Sequence, residues 1–264
     1  MPFNFFRNRR RRRWLAEPFP TEWAGWLEDG VWHYRYLTDA LRDRLHDVVT
    51  VLVHEKEWTG GRDYEVTPRM RVVIAGQAAL LTAGFSEPYY FDRLNTVIVN
   101  PGPYQPRSSK LAERLGGDDD PFDGDDREGE SWQGGPVKLS WSVVEAEGHD
   151  PDFTSNLVMH EFAHHLDGVD GDTTGLPPIN DPRFEEHFRR VTEQEFRRLQ
   201  RRAHRGQPTL LDDYGASHQA EFFAVSTECF FNSPHDLAIE HPELHGVLCR
   251  LYGQDPREWL PVDP

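Results

Sequence analysis

The chain has 264 residues, 37 % of them hydrophobic and 28 % charged, with a formal net charge of −16. That length suits one large domain or two small ones around a substantial core. The negative balance argues against direct binding of nucleic acid, whose phosphates it would repel. No stretch approaches the roughly 18 apolar residues of a membrane span.

Residues 1–20 carry Arg7 and Arg9 to Arg13, with Glu17, Pro18, Pro20 and Glu22 where a secretory signal would need an apolar run. We read them as a flexible, solvated basic arm, and 21–264 as a single domain in the cytoplasm. Leu37, Leu41, Leu45, Val48 and Leu52 recur at helical spacing and predict an amphipathic helix over about 38–54. Met70 to Ala83 reads as a buried helix, and Thr96 to Val99 as a short strand closed by Asn100-Pro101-Gly102-Pro103. The acidic run of 116–130 reads as a mobile surface loop; it has oxygen ligands, but not the spacing of an EF-hand calcium loop. Val137, Leu139 and Trp141 alternate with Lys138 and Ser140, the pattern of a half-buried strand. Helices follow over about 153–167, from Asp181-Pro182 to about 203, and over about 217–231. Ser233-Pro234 and Pro242 open two more, and Gly253 closes the last. The two cysteines, Cys229 and Cys249, fall in apolar helical patterns and read as core thiols of a reducing compartment. The order predicts a helix-rich α+β domain with a small β-sheet.

The most informative stretch is His160-Glu161-Phe162-Ala163-His164. Histidines four apart share one helix face and can reach one Zn²⁺ together, with Glu161 beside them as a base for water. The plainer reading is a helix that carries two histidines by accident. Apolar neighbours on most sides (Leu157, Val158, Met159, Phe162, Ala163, Leu166) argue against it, since an ionised Glu in such a helix needs compensation. Zinc needs a third protein ligand. Asp170 lies where one metallopeptidase class places it, but Asp167 stands where that class needs a glycine. Glu221 and Glu228, seven apart on one stripe of a Phe-rich helix, would need cations to satisfy them. Glu221 is favoured as the ligand, with Glu228 set to orient a ligand histidine. His218 is a third option at an exposed helix start. Asp167 either accepts from a ligand imidazole or merely ends the motif helix before Gly168. Tyr214, seven residues before Glu221, by itself reads as a packing residue.

Three blocks in this order resemble the Mlc titration factor (MtfA) family of zinc-dependent peptidases: Gly129 to Trp141, His160 to Asp167, and Tyr214 to Phe231. The chain is also similar to the catalytic domains of lethal-factor-type metallopeptidases, so the resemblance implies a zincin-like fold. It further implies one Zn²⁺ held by His160, His164 and Glu221, with Glu161 as general base and Tyr214 as donor to the developing oxyanion. Members are cytosolic and act on short peptides, in an aminopeptidase-like manner; some bind the transcriptional repressor Mlc. The resemblance therefore implies a peptide substrate and, as an alternative function, repressor binding with zinc mainly structural. The arginine-rich start and the acidic loop depart from the family pattern.

Overall fold

A computed structural model describes residues 2–61, 64–102, 135–171 and 173–262. The acidic run of 116–130 and the start of the first family-like block lie outside the described residues, as does the side chain of Asp170.

Helix α1 (Pro2–Trp14) occupies the segment expected to be a flexible arm. One arginine of its basic run explains the difference. Arg11 is buried, its guanidinium on the carboxylates of Glu55 and Asp92 and over the ring of Tyr90, while Arg9, Arg10, Arg12 and Arg13 are exposed. Helix α2 (Thr21–Gly30) was not anticipated; its apolar contribution is carried by few positions, with Leu27 and Gly30 buried.

Helix α3 (Asp39–Glu55) follows the predicted periodicity. Thr38 caps it by accepting from the amide of Leu41. Helix α4 (Pro68–Leu80) is buried from Val72 onward and packs against α2 and α3, so it forms the centre of the N-terminal half. The sheet is small and parallel, in the order β1 (Glu57–Gly60), β2 (Thr96–Asn100), β3 (Val137–Ser140). Val97 pairs with Trp58 on one side and with Val137 on the other. Parallel neighbours need crossover connections, and α4 lies on the crossover from β1 to β2. Val97, Val99, Val137 and Leu139 bury one face of the sheet against the core.

The strand expected over 137–141 ends at Ser140, because Trp141 opens helix α5 (Trp141–His149), whose Val143, Val144, Glu147 and Gly148 are buried at helical spacing. Helix α6 (Leu157–Asp167) starts later than expected. Asn156 takes the cap position and its Oδ1 accepts from the amide of Met159 at 2.9 Å. Helix α7 (Pro182–His204) begins on Asp181, as its Asp-Pro start predicts. Helix α8 (Gln219–Asn232) is buried on all sides from Phe222 onward, so it runs through the core of the C-terminal half. Helices α9 (Pro234–Glu240) and α10 (Pro242–Tyr252) complete the packing, and Gly253 ends α10 at φ +63°. Among the described residues no helix is long and apolar enough to cross a membrane.

Candidate metal centre

Helix α6 packs beside β3 and α4 on one side and along α8 on the other. His160 and His164 therefore face Glu221, which lies in the first turn of α8. Nε2 of His160 is 3.0 Å from Oε2 of Glu221 and 3.2 Å from Nε2 of His164; the third edge, His164 Nε2 to Glu221 Oε2, is 3.4 Å. A tetrahedral ion with bonds of about 2.0–2.1 Å holds its ligand atoms about 3.3 Å apart. The three donors thus already stand at the separations of three corners of such a shell.

The proton inventory points the same way. Nδ1 of His160 donates to Oε1 of Glu228 at 2.7 Å, which leaves the Nε2 lone pair facing the carboxylate oxygen and the second imidazole. Three electron-pair donors converging in this way need a cation between them, either protons or a metal. Burial opposes a charge on His160, but Glu228 and Glu221 outweigh it and hold the imidazole pKa well above its usual value. His164 is lowered, chiefly by burial. Burial would raise Glu221, yet hydrogen bonds from His160 and His164 hold it well below the usual carboxylate range. The trio fits a divalent cation in donor chemistry and in spacing.

Around the trio lie the other predicted residues, apart from Asp170, whose side chain is outside the described residues. Glu161 is partly buried on the same helix; burial and the charges of Glu221 and Glu228 push its carboxyl up to about 7, against the pull of His160. The ring of Tyr214 stacks on that of His160 with centroids 6.0 Å apart, in the short turn that precedes α8 and is capped by Asp212. Asp167 is fully buried, and its Oδ2 accepts from the amide of Gly175 at 2.7 Å. Gly175 sits at φ +76°, where a Cβ would meet the carbonyl of Gln219 at 2.3 Å. Asp167 therefore secures the loop that passes over the start of α8. His218 is exposed at the N-cap of α8 and stands outside the group of converging ligand atoms. His165 is buried away from the trio, and burial lowers it to about 4.

Glu147 is the residue that the sequence did not single out. It is buried on α5, its Oε1 accepts from Ser155 Oγ at 2.7 Å, and its Oε2 accepts from the amide of Leu157 at 2.6 Å. It thus holds the first turn of α6, next to the Glu228 carboxylate. Burial pushes Glu147 up to about 7. Glu147 follows Val143 and Val144 at helical spacing, but a carboxylate in such a position ordinarily reads as the solvated face of a helix.

The family model described as Glucose-regulated metallo-peptidase M90 matches residues 6–253 of the chain. The chain is 31 % identical over 249 residues to the "Uncharacterized protein slr2042" of Synechocystis sp., covering 94 % of this chain and 89 % of that one. It is 34 % identical over 139 residues to Mlc titration factor A of Escherichia coli (strain K12 / DH10B), a match that spans 50 % of each chain. The Mlc titration factor A of Shigella boydii gives the same figures.

Proposed function

Because the chain belongs to the glucose-regulated metallo-peptidase M90 family and is thereby a metallopeptidase, we propose that it hydrolyses short peptides with one Zn²⁺ held by His160, His164 and Glu221. The observation that carries this reading is the set of donor separations, 3.0, 3.2 and 3.4 Å, on two helices that pack together. A zinc ion bound there supplies Lewis acidity for the scissile carbonyl and lowers the pKa of a bound water towards about 7.

The chain's own residues do the rest. Glu161 takes the proton of the attacking water and delivers it to the leaving amine. Glu228 fixes the ring of His160 through Nδ1. Tyr214, held against His160, donates its phenol to the developing oxyanion. Strand β3 pairs only with β2 among the described residues, so its other edge offers backbone groups to an extended peptide. Backbone pairing gives affinity with little sequence choice, which suits aminopeptidase-like trimming of short peptides in the cytoplasm.

The test is removal and return of the metal. Chelator-stripped protein loses hydrolysis of short peptides; zinc restores it in the wild type and in Asp170→Asn, but not in Glu221→Gln. Activity that survives complete stripping, or that fails to return only in Asp170→Asn, overturns the ligand set.

A second reading rests on the similarity to Mlc titration factor A over half of this chain: binding of a transcriptional repressor, with zinc mainly structural. Titration with a candidate repressor, with and without chelator, separates it from the peptidase reading.

A further inference from the structure

Among the described residues, Phe91 is the one residue other than glycine at positive φ, +49°. A left-handed backbone crowds a bulky side chain, so such a residue stays strained only where its surroundings hold it. Phe91 lies in the connection from α4 to β2, and its surroundings do hold it. Its carbonyl oxygen accepts from Nζ of Lys56 at 2.7 Å and from the amide of Leu94 at 3.0 Å. Arg11 grips both of its neighbours: the guanidinium lies 4.7 Å from the ring centroid of Tyr90 and pairs with the carboxylate of Asp92. The same guanidinium binds Glu55, the residue before Lys56. Lys56 is an unusual donor, because it is buried and burial lowers its ammonium to about 8. A charge in such a place needs close acceptors. The Phe91 carbonyl is one, and the Glu55 carboxylate at 3.5 Å is another.

This arrangement aims the Phe91 ring. The ring is fully buried and meets that of Phe162 edge to face, with centroids 4.8 Å apart and planes at 89°. Phe162 lies inside the metal motif, two residues after His160, and so projects roughly 200° round α6 from it. It therefore points away from the face that carries the ligands. On that opposite face His160 and His164 meet Glu221 and Glu228 of α8. Helix α6 is held between Phe91 behind and α8 in front, so the rear seat sets how far the two histidines and Glu161 reach.

We propose that Phe91 is a positioning residue of the metal centre: fixed in its strained conformation by Lys56 and Arg11, it bears on Phe162 and holds α6 in register with α8. This rests on the zinc ligand set proposed above. It extends the machinery to residues that touch neither metal nor substrate, on a segment tied to helix α1. Small displacements of a reacting group are costly, so the seat matters more to turnover than to substrate binding.

Two variants loosen the seat. Phe91→Leu keeps apolar bulk but removes the edge-to-face contact, and Lys56→Met removes the donor while leaving Glu55 paired with Arg11. At saturating zinc, both are expected to lower kcat for short peptides about tenfold or more with KM unchanged. Zinc affinity, read by competition with a chromophoric chelator, is expected to weaken about fivefold in both. Leu244→Ala, a truncation of a fully buried side chain on α10, is the control for general loss of stability and is expected to keep wild-type kcat and zinc affinity. Wild-type kcat and affinity in Lys56→Met, or an equal fall in the control, overturn the proposal. The affinity readout needs no turnover: a wild type that hydrolyses no peptide, with zinc bound more weakly by both variants, would sink the peptidase reading and leave Phe91 positioning the ligands.

Discussion

His160 donates from Nδ1 to Oε1 of Glu228 across 2.7 Å, and this bond joins the motif helix α6 to the buried stripe of α8. The other oxygen of Glu228 accepts from the amide of Asn156 at 2.7 Å, so the same carboxylate also holds the N-terminus of α6. One side chain thereby fixes both the ring and the helix that carries it. Replacing Glu228 by Gln keeps an acceptor but removes the charge that strengthens the imidazole as a donor of electrons. The expected result is a zinc affinity about 10–100-fold weaker, with the fold retained, measured by competition against a chromophoric chelator. Equal affinity of variant and wild type would show that the contact does not serve the metal.

Metal loading is expected to depend on pH through His160. Its pKa lies well above the usual value in the metal-free chain, and a metal must displace that proton. The proton contributes stability to the metal-free fold below about pH 6.5, the unperturbed value, and that contribution is lost as pH rises through the raised pKa. Apparent zinc affinity therefore runs in the opposite direction. It weakens by up to about tenfold per pH unit as pH falls, beginning above pH 6.5. Isothermal titration at several pH values checks this, and a flat profile from pH 8 to 6 contradicts it.

Glu147 gives a stability signature of opposite origin. Its folded-state pKa is about 7 against 4.5 ordinarily, because burial disfavours the carboxylate. Between those values the folded chain binds more protons than the unfolded one, so stability falls as pH rises through that window. Glu147→Gln carries no charge, keeps an acceptor for the Leu157 amide, and can donate to the Ser155 hydroxyl. Relative to wild type it is expected to gain up to about 3 kcal/mol on going from pH 4.5 to pH 8. Denaturant unfolding of the metal-free proteins reads this; a pH-independent difference would rule it out.

The arginine run makes a sharp contrast. Arg11→Ala leaves Glu55 and Asp92 without the guanidinium that joins them, and is expected to cost on the order of 3 kcal/mol. Arg12→Ala, on the exposed side of the same helix, is expected to stay within about 0.5 kcal/mol. Thermal unfolding and limited proteolysis near residue 15 measure both; equal effects would mean that α1 is not docked through Arg11.

What the sequence carried was whatever has a period. The spacing of His160 and His164, and of Glu221 and Glu228, puts each pair on one helix face, and the structure brings the two faces together. Helices α3, α7 and α8 were readable for the same reason, from apolar repeats and an Asp-Pro start. Arg11 was not, because its partners are 44 and 81 residues away and a run of like charges resembles a solvated tail. Helix α5 was hidden behind a strand whose alternation extends one residue into it. Glu147 reaches the amide of Leu157 at the start of α6 and the hydroxyl of Ser155, and Asp167 reaches the loop amide of Gly175; contacts of this kind between segments leave no pattern in sequence.

The central claim is that Glu161 acts as the base beside a zinc held by His160, His164 and Glu221. The most direct measurement is the rate of peptide hydrolysis by Glu161→Gln at full zinc occupancy. The account predicts a fall of about 10²-fold or more with zinc content unchanged. A variant that keeps its zinc and hydrolyses peptides at the wild-type rate would contradict it.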